Sequence, residues 1–365
     1  MSGGFEAPWS LPLWGLAIGL VLGALARATH FCTLAALERH WYSGDSRGLR
    51  VWMTMTLTAI IATQLLGMAG AIDTSAILYL SAPFNPLASV LGGLAFGLGM
   101  AMVGTCGFGA LVQLGGGNLK ALVVVTTIGL SALATQRGVL GVVREHVIEP
   151  LAIGLPGGSQ SLPLLAERLS GFAIGHVVVT LVIIAFAAWI LRERAFRRDI
   201  AGIATGTGLG ALVAAGWWMT TQGAMAQLRP VAIEGASFVR PPAELLFHLT
   251  IQTGLVPRYS VGLVLGVVVG AVLVAARRHD MRWEACDSAR ELGRHLAGAT
   301  LMGIGGVLAL GCTIGQGVSA FSVLALSAPI TFVSMLIGAR IGLSWLLGDD
   351  SLYRRFRPDR ATERS

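Results

Sequence analysis

Long apolar stretches recur along the whole chain, and they constrain its fold more than any other feature. The hydrocarbon core of a bilayer is about 30 Å thick, so one helix needs roughly 20 apolar residues to cross it. The sequence predicts an all-α polytopic membrane protein with about nine transmembrane helices in a single membrane domain, 1–365. The predicted spans are 9–26, 50–72, 87–104, 119–136, 171–191, 200–219, 258–277, 295–311 and 328–348.

The composition agrees with a membrane protein and excludes an ordinary soluble domain. Hydrophobic residues make up 54% of the chain and charged residues only 12%, whereas soluble domains carry about 25% charged residues. The segment from Met1 to Ser10 has no Lys or Arg. Because a cleaved signal peptide begins with a basic region, we expect the first apolar stretch to remain as a helix.

The basic residues are distributed unevenly between alternate loops. Of the 26 Lys and Arg residues, 19 fall in the loops after odd-numbered spans and in the tail, and 6 in the loops after even-numbered spans. The positive-inside rule then predicts an N-terminus outside and a C-terminus in the cytoplasm of a cell with an inner membrane. The excess of basic over acidic residues therefore reflects membrane topology, and no nucleic-acid partner is expected.

Two kinds of chemistry find no support in the residues. Lys120 is the only lysine, and it stands outside any P-loop motif, which needs a Lys to reach nucleotide phosphates. The four cysteines form no C-x-x-C pair, so neither a disulfide framework nor a zinc site is indicated. We expect no metal, no cofactor, no catalytic residues and no enzyme activity.

An internal repeat surrounds two of the cysteines. The stretches Thr74–Leu119 and His295–Ala339 each contain no Asp, Glu, Lys or Arg. Aligned on their cysteines they share five positions, which are Gly92, Gly97, Gly99, Cys106 and Gly109 in the first and Gly298, Gly303, Gly305, Cys312 and Gly315 in the second. We expect a first repeat half at 1–136, middle helices and external loops at 137–257, a second repeat half at 258–348 and a cytoplasmic tail at 349–365.

A short segment follows each repeat cysteine, 107–116 after Cys106 and 313–326 after Cys312. Each is too short or too polar for a full span, which predicts a re-entrant half-helix, because irregular backbone in a bilayer must be surrounded by protein or water. A half-helix N-terminus offers free N–H groups to an anion. The predicted binding residues are Gly107, Phe108, Gly109, Thr313, Ile314, Gly315 and Gln316 together with the cysteines. Since the two segments start from opposite faces, an inverted repeat with a shared midplane site is indicated.

The residues around the cysteines also resemble a known family. The stretch GATLMGIGGVLALGCTIGQGVSAFSVLALS (298–327), preceded by RWEACDSARELGRHL (282–296), is similar to the signature of the YeeE/YedE sulphur-transport family. GLAFGLGMAMVGTCGFGAL (93–111) is similar to its first-half counterpart, and RATHFC (27–32) resembles its early cysteine position. The region of about 137–257 matches only in hydropathy.

The resemblance implies a nine-helix membrane protein that takes up thiosulfate or a related small sulphur anion into the cytoplasm. It implies a central path lined by Cys32, Cys106 and Cys312, and we add a small cytoplasmic sulphur-carrier protein as an expected partner besides the lipid bilayer. Cys286 stands in a charged loop and is left out of the site.

Three other interpretations stay open. Free Cys is often a buried packing residue, which would make the thiols inert. A second alternative is a membrane sulphurtransferase that forms a cysteine persulfide, although neither charge-free stretch offers a base to activate the thiol. A purely structural membrane subunit is the third alternative, and the cysteine repeat gives it the least support.

Overall fold

The computed structural model describes residues 9–227, 231–250 and 257–348, and within these ranges it is helical, with isolated bridges in place of strands. The predicted tail, 349–365, lies outside the described residues, as does the N-terminus itself. The helices are α1 Ser10–Thr29, α2 Thr33–Ser43, α3 Arg47–Met68, α4 Leu78–Ser81, α5 Pro86–Val103, α6 Gly107–Gly115, α7 Leu119–Arg137, α8 Val139–Val143, α9 Leu162–Ser170, α10 Gly175–Leu191, α11 Arg194–Arg197, α12 Ile200–Ala226, α13 Arg240–Thr250, α14 Tyr259–Arg278, α15 Ala289–Leu308 and α16 Ser327–Leu347. A further short helix, 313–322, contains a π-helical segment at Gly315–Ala320.

All nine predicted spans coincide with helices, and within the described ranges seven spans are long and apolar enough to cross a membrane. The other two predicted spans correspond to α10 and α15. Helix α10 has only 17 residues, and α15 begins with charged residues that include Arg290, Glu291 and Arg294. The multi-pass helical fold is therefore confirmed, whereas the number nine stays a prediction.

Glycine allows three pairs of long helices to run parallel at close distance. Along α1, Gly15, Gly19 and Gly23 face successive backbone groups of α14, from Tyr259 to Val267. In the same way α12 packs on α3, and α5 packs on α16. Small residues permit such approach in lipid, where there is no hydrophobic driving force between helices. The high glycine content is thus used largely for helix packing.

The glycines of the internal repeat form the crossing of α5 and α15. A Cβ on Gly92 would lie 2.7 Å from the Gly305 carbonyl oxygen, and one on Gly298 would lie 2.8 Å from the Gly99 carbonyl oxygen. Since Gly92 corresponds to Gly298 and Gly305 to Gly99, the two contacts are equivalent to each other, and the two helices cross antiparallel. The remaining repeat glycine of each helix packs against a different helix: Gly97 contacts α16, and Gly303 contacts α7.

One end of the helix bundle, here called the basic end, joins several helix termini through ion pairs. Arg27 of α1 pairs with Asp280 just after α14 at 3.1 Å, and Lys120 of α7 pairs with Glu291 of α15 at 2.8 Å. The Lys120 ammonium lowers the pKa of Glu291 to about 2. These contacts fasten the loop 279–288 to the adjoining helix ends.

The opposite end is covered by loops. The segment between α7 and α10 pairs with the region before α5 and with the region before α16: the Gln160 N–H donates to the Leu80 carbonyl at 2.9 Å, and the Leu326 N–H donates to the Gln160 carbonyl at 2.8 Å. A second loop, 231–239, is held by Ile77 through an isolated bridge to Ile233. The hydroxyl of Ser319 also donates to the Ala236 carbonyl at 2.7 Å. This second loop therefore lies against the short helix 313–322.

Candidate functional site

Cys106 lies in a break between two helices and caps the second. Helix α5 ends at Val103, Gly104 adopts a left-handed conformation with φ +82°, and α6 begins at Gly107. The Gly109 N–H donates to the Cys106 sulphur at 3.3 Å, and the Ala110 N–H donates to the Cys106 carbonyl at 2.9 Å. The thiol is fully buried. Its sulphur thus satisfies one of the N–H groups that a helix start leaves without partners.

Cys312 has the same local geometry. Leu310, two residues earlier, is also left-handed, with φ +58°, and this is strained for a residue with a Cβ. The Gly315 N–H donates to the Cys312 sulphur at 3.3 Å, and the Gln316 N–H donates to the Cys312 carbonyl at 2.8 Å. This thiol is fully buried as well. The repeat seen in the sequence is therefore a repeat of backbone structure.

A thiol is an unusual choice at a helix start. Ser, Thr, Asp and Asn are preferred at this position because their oxygens accept hydrogen bonds better than sulphur does. Helix stability alone would therefore favour a hydroxyl at Cys106 and at Cys312. The occurrence of Cys at both symmetric positions argues against the inert packing interpretation.

Cys32 lies next to Cys106 although the two are far apart in sequence. Cys32 precedes α2, and its sulphur is 3.8 Å from the Thr105 hydroxyl oxygen. A Cβ on Gly109 would lie 3.6 Å from the sulphur of Cys32 and 3.6 Å from that of Cys106. Two of the three predicted path cysteines therefore form one cluster.

Aromatic rings and one loop lie between this cluster and Cys312. The rings of Phe108 and Phe238 are 4.7 Å apart between centroids, and both residues are almost fully buried. Phe238 belongs to the loop 231–239, and its carbonyl oxygen would lie 3.2 Å from a Cβ on Gly107. On the other side, the same loop places Ser237 and Phe238 beside the Cys312 thiol. Residues 236–238 thus separate the two thiol sites.

The other predicted residues of the second site are buried with unused hydrogen-bonding capacity. The hydroxyl of Thr313 and the side-chain oxygen of Gln316 are buried and have no hydrogen-bond partner. The Gln316 amide nitrogen donates to the Ala309 carbonyl at 2.5 Å, and Ile314 is buried against the core. Unpaired buried polar atoms cost free energy, and a bound polar ligand would recover part of it.

Two cavities approach the thiols from opposite ends. One, of about 360 Å³, opens at the basic end and is lined by Cys32, His30, Arg39 and Arg47 among others. The other, of only about 40 Å³, is lined by Tyr79, Ser237 and Arg240 among others. Neither lining includes Cys106 or Cys312. Both buried thiols therefore lie beyond the ends of these two cavities.

Sequence reasoning missed Thr105, Tyr79, Ser237 and Phe238, which all contact the cysteine sites. Tyr79 and Thr105 lie in the first charge-free stretch, but nothing in the repeat marks them. Ser237 and Phe238 lie in the middle region, far from either cysteine in sequence. Cys286, which was left out of the site, stands near Lys120 at the basic end.

Comparison with known proteins identifies the family. The sequence model described as sulphur transport matches residues 28–341, which include all four cysteines. The chain belongs to this sulphur-transport family. The matched residues include both thiol sites and the α5–α15 crossing. The predicted resemblance is therefore confirmed.

Two relatives in the sulphur-transport family match over almost their full length. The thiosulfate transporter TsuA of Escherichia coli (strain K12) is 25% identical over 354 residues, which cover 93% of this chain and 95% of that protein. The thiosulfate transporter TsuA of Spirochaeta thermophila (strain ATCC 700085 / DSM 6578 / Z-1203) is 23% identical over 365 residues, covering 92% of this chain and 99% of that protein.

Proposed function

We propose that this chain is a thiosulfate transporter, which takes the anion into the cytoplasm along a path through Cys312, Cys106 and Cys32. The observation that carries the proposal is the pair of capped thiols at equivalent positions of two repeats. Family membership and the two thiosulfate-transporting relatives support the substrate. Backbone N–H groups at the two helix starts favour an anion, and neutral thiols add weak donors that do not trap it.

The helix packing supports nine spans arranged as an inverted repeat. In this proposal α1, α3, α5 with α6, and α7 correspond to α12, α14, α15 with the short helix 313–322, and α16. Under this correspondence the α1–α14 pair is equivalent to the α12–α3 pair. The Gly99–Gly298 contact is likewise equivalent to the Gly305–Gly92 contact. On this basis the second repeat begins at Ile200, earlier than the boundary of 258 expected from the sequence.

The basic end is proposed to face the cytoplasm. The ion-paired loops there hold most of the basic residues that lie within the described ranges, which the positive-inside rule assigns to the inner face. Cys32 and the larger cavity would then open to the cytoplasm, whereas Tyr79 and the smaller cavity would face outward. A small sulphur-carrier protein is proposed to receive the anion at the mouth of the larger cavity.

Membrane potential provides a test of coupling. Moving one charge across 100 mV is worth about 2.3 kcal/mol, so a thiosulfate dianion in an uncoupled pathway gains or loses about twice that. In proteoliposomes, an inside-positive potential should raise uptake strongly if transport is uncoupled. Uptake that follows a proton or sodium gradient and not the potential would show coupled transport.

The sulphurtransferase alternative differs in its product. Persulfide formation at a cysteine would release sulphite, and an activated thiol normally has a neighbouring base. The hydrogen bonds found at the Cys106 and Cys312 sulphurs come from the backbone N–H groups of Gly109 and Gly315. Proteoliposomes loaded with sulphite-detecting reagent and given labelled thiosulfate should accumulate the intact anion. Stoichiometric release of sulphite would establish the enzyme and overturn the transport proposal.

A further inference from the structure

The two thiol sites present different chemical groups at equivalent positions. Gly109 and Gly315 each stand three residues after their cysteine. A Cβ on Gly109 would touch the Thr105 hydroxyl and would lie 3.6 Å from the Cys32 sulphur. A Cβ on Gly315 would instead lie 3.0 Å from the Ser237 hydroxyl oxygen and 3.1 Å from that of Tyr79. The first site therefore adds a second thiol and one hydroxyl, whereas the second site adds two hydroxyls and no second thiol.

The hydroxyl of Tyr79 reaches both glycines that flank Cys312. It would lie 3.2 Å from a Cβ on Gly311 as well as 3.1 Å from one on Gly315. Tyr79 belongs to α4 and is only 6% exposed, and its ring packs against Trp217 with centroids 6.2 Å apart. A buried side chain thus aims its hydroxyl at the backbone turn around the thiol, beside the hydroxyl of Ser237.

Ser237 approaches the same turn from the loop 231–239. Its hydroxyl oxygen is buried, and the groups beside it are the Tyr79 hydroxyl and the Cys312 thiol. A bound anion would compete for these protons, because hydrogen bonds to ionised groups are stronger than those between neutral groups. Its neighbour Ala236 is fixed by the Ser319 hydroxyl at 2.7 Å, so the position of Ser237 is set by the short helix itself.

We propose that Tyr79 and Ser237 form, with Cys312, a subsite for the oxygen end of the anion, whereas Cys32 and Cys106 receive its terminal sulphur. The inference rests on the proposed function. Hydroxyls are strong donors and make short hydrogen bonds to anionic oxygens. Thiols are weak donors, soft and polarisable, and suit a sulphur atom better than an oxygen.

The subsite must open before it is filled. Its cavity of about 40 Å³ holds about one water molecule, whose share of liquid volume is about 30 Å³. The isolated bridge between Ile77 and Ile233 joins the segments that carry Tyr79 and Ser237. Separation of these segments would admit the anion from the end opposite the basic end and leave both hydroxyls facing it.

The test compares Tyr79→Phe and Ser237→Ala with the matched control Tyr259→Phe. Tyr259 is also buried with an unpartnered hydroxyl, but that hydroxyl faces Gly216 and not Cys312. In proteoliposomes we expect the KM for labelled thiosulfate to rise about tenfold in each subsite variant, with maximal rate little changed, because one hydrogen bond to an ionised group is lost. The control should keep the wild-type KM.

A second readout uses sulfate as a competitor, because sulfate has oxygens but no terminal sulphur. Its inhibition constant should rise in Tyr79→Phe and Ser237→Ala by about the same factor as the KM and should stay near wild type in Cys32→Ala. If a variant transports too poorly to measure, thiosulfate binding to the purified protein replaces uptake, and weakened binding is then expected.

The controls distinguish a wrong subsite assignment from a failure of the proposed function. If both subsite variants match wild type and Tyr259→Phe in KM, in binding and in sulfate inhibition, the subsite assignment is wrong. If wild-type proteoliposomes take up no thiosulfate at all, the proposed function fails instead. A sulfate inhibition constant that changes only in Cys32→Ala would also contradict the assignment, since oxygen recognition would then lie at the other thiol site.

Discussion

The two thiol sites have the same backbone geometry but different surroundings. At Cys106 and at Cys312 the sulphur accepts an N–H from the residue three positions on, at 3.3 Å in both cases. Around Cys106 stand a second cysteine and a cavity of about 360 Å³ beyond it. Around Cys312 stand two hydroxyls and a cavity of about 40 Å³.

The difference separates what the repeat specifies from what the loops specify. A similar helix break before Cys106 and before Cys312 sets the position of each thiol and its N–H groups, and our proposal that both sites bind an anion rests on these N–H groups. Residues outside the core repeat then give each site its own donors and its own access. In the conformation described, the cavity lined by Cys32 is larger than the one lined by Tyr79 and Ser237.

The largest difference in stability between the two sites is expected when Ala replaces each of the two equivalent glycines. Gly109→Ala places a methyl group against Thr105, whereas Gly315→Ala meets hydroxyls at 3.0 and 3.1 Å. Overpacking costs about 1–3 kcal/mol, and we expect Gly109→Ala to fall at the upper end and Gly315→Ala at the lower end. Thermal unfolding in detergent measures this order. Equal loss in both variants would mean that the sites are equally crowded.

Rates of reaction with thiol reagents should show which of the three cysteines solvent reaches from each end. Cys32 lines the larger cavity and is only partly buried, whereas Cys106 and Cys312 are fully buried. A membrane-impermeant reagent applied at the basic end should therefore modify Cys32 fastest, since reactivity needs access. From the opposite end it should reach Cys312 before Cys106, and excess thiosulfate should slow both reactions. Substrate-insensitive labelling would place the thiols off the path.

A smaller effect is expected from the left-handed residues before each cysteine. Gly104 adopts φ +82° without strain, whereas Leu310 holds φ +58° with a side chain, which costs roughly 1–2 kcal/mol. Gly104→Ala should lower the free energy of unfolding by about that amount. Leu310→Gly should lose less than an ordinary buried Leu substitution, because relief of strain offsets part of the lost burial. Chemical unfolding of the two variants measures the difference.

The smallest effect concerns pH at the basic end. Lys120 lowers the pKa of Glu291 to about 2, against about 4.3 for a free Glu. The stabilisation is therefore present above the unfolded pKa and is lost as pH falls towards about 2. Wild type and Glu291→Gln should differ in Tm at pH 6, differ less at pH 3, and converge only as pH approaches about 2. A constant difference across this range would show that the ion pair does not stabilise the loop.

The sequence predicted the fold well where periodic apolar runs decide the structure. The spans 119–136, 258–277 and 328–348 differ from α7, α14 and α16 by one residue at most. The matching register of Cys106 with Cys312 was also read from the sequence, and both thiols accept an N–H at 3.3 Å; their role in transport stays a prediction. The same register did not reveal that Gly92, Gly97 and Gly99 pack helices, since packing partners are set in three dimensions.

The rest of the site depends on contacts between distant segments. Cys32 meets Thr105 across 73 positions of the chain, and Ser237 reaches Cys312 from a loop that carries no motif. Helix α2 was missed because its 11 residues are too few for a span and its apolar run ends at Glu38 and Arg39. The repeat boundary at 258 stays a prediction; the pairing of α12 with α3, which nothing in the sequence shows, is the contact that leads us to propose Ile200 instead.

Replacement of each thiol by Ser tests the central account most directly. Serine keeps or improves the helix cap, so Cys106→Ser and Cys312→Ser should fold, with Cys286→Ser as a matched control at the basic end. Uptake of labelled thiosulfate into proteoliposomes should fall by about tenfold or more in both site variants and stay at the wild-type rate in the control. Wild-type uptake in both site variants would contradict a path through Cys106 and Cys312.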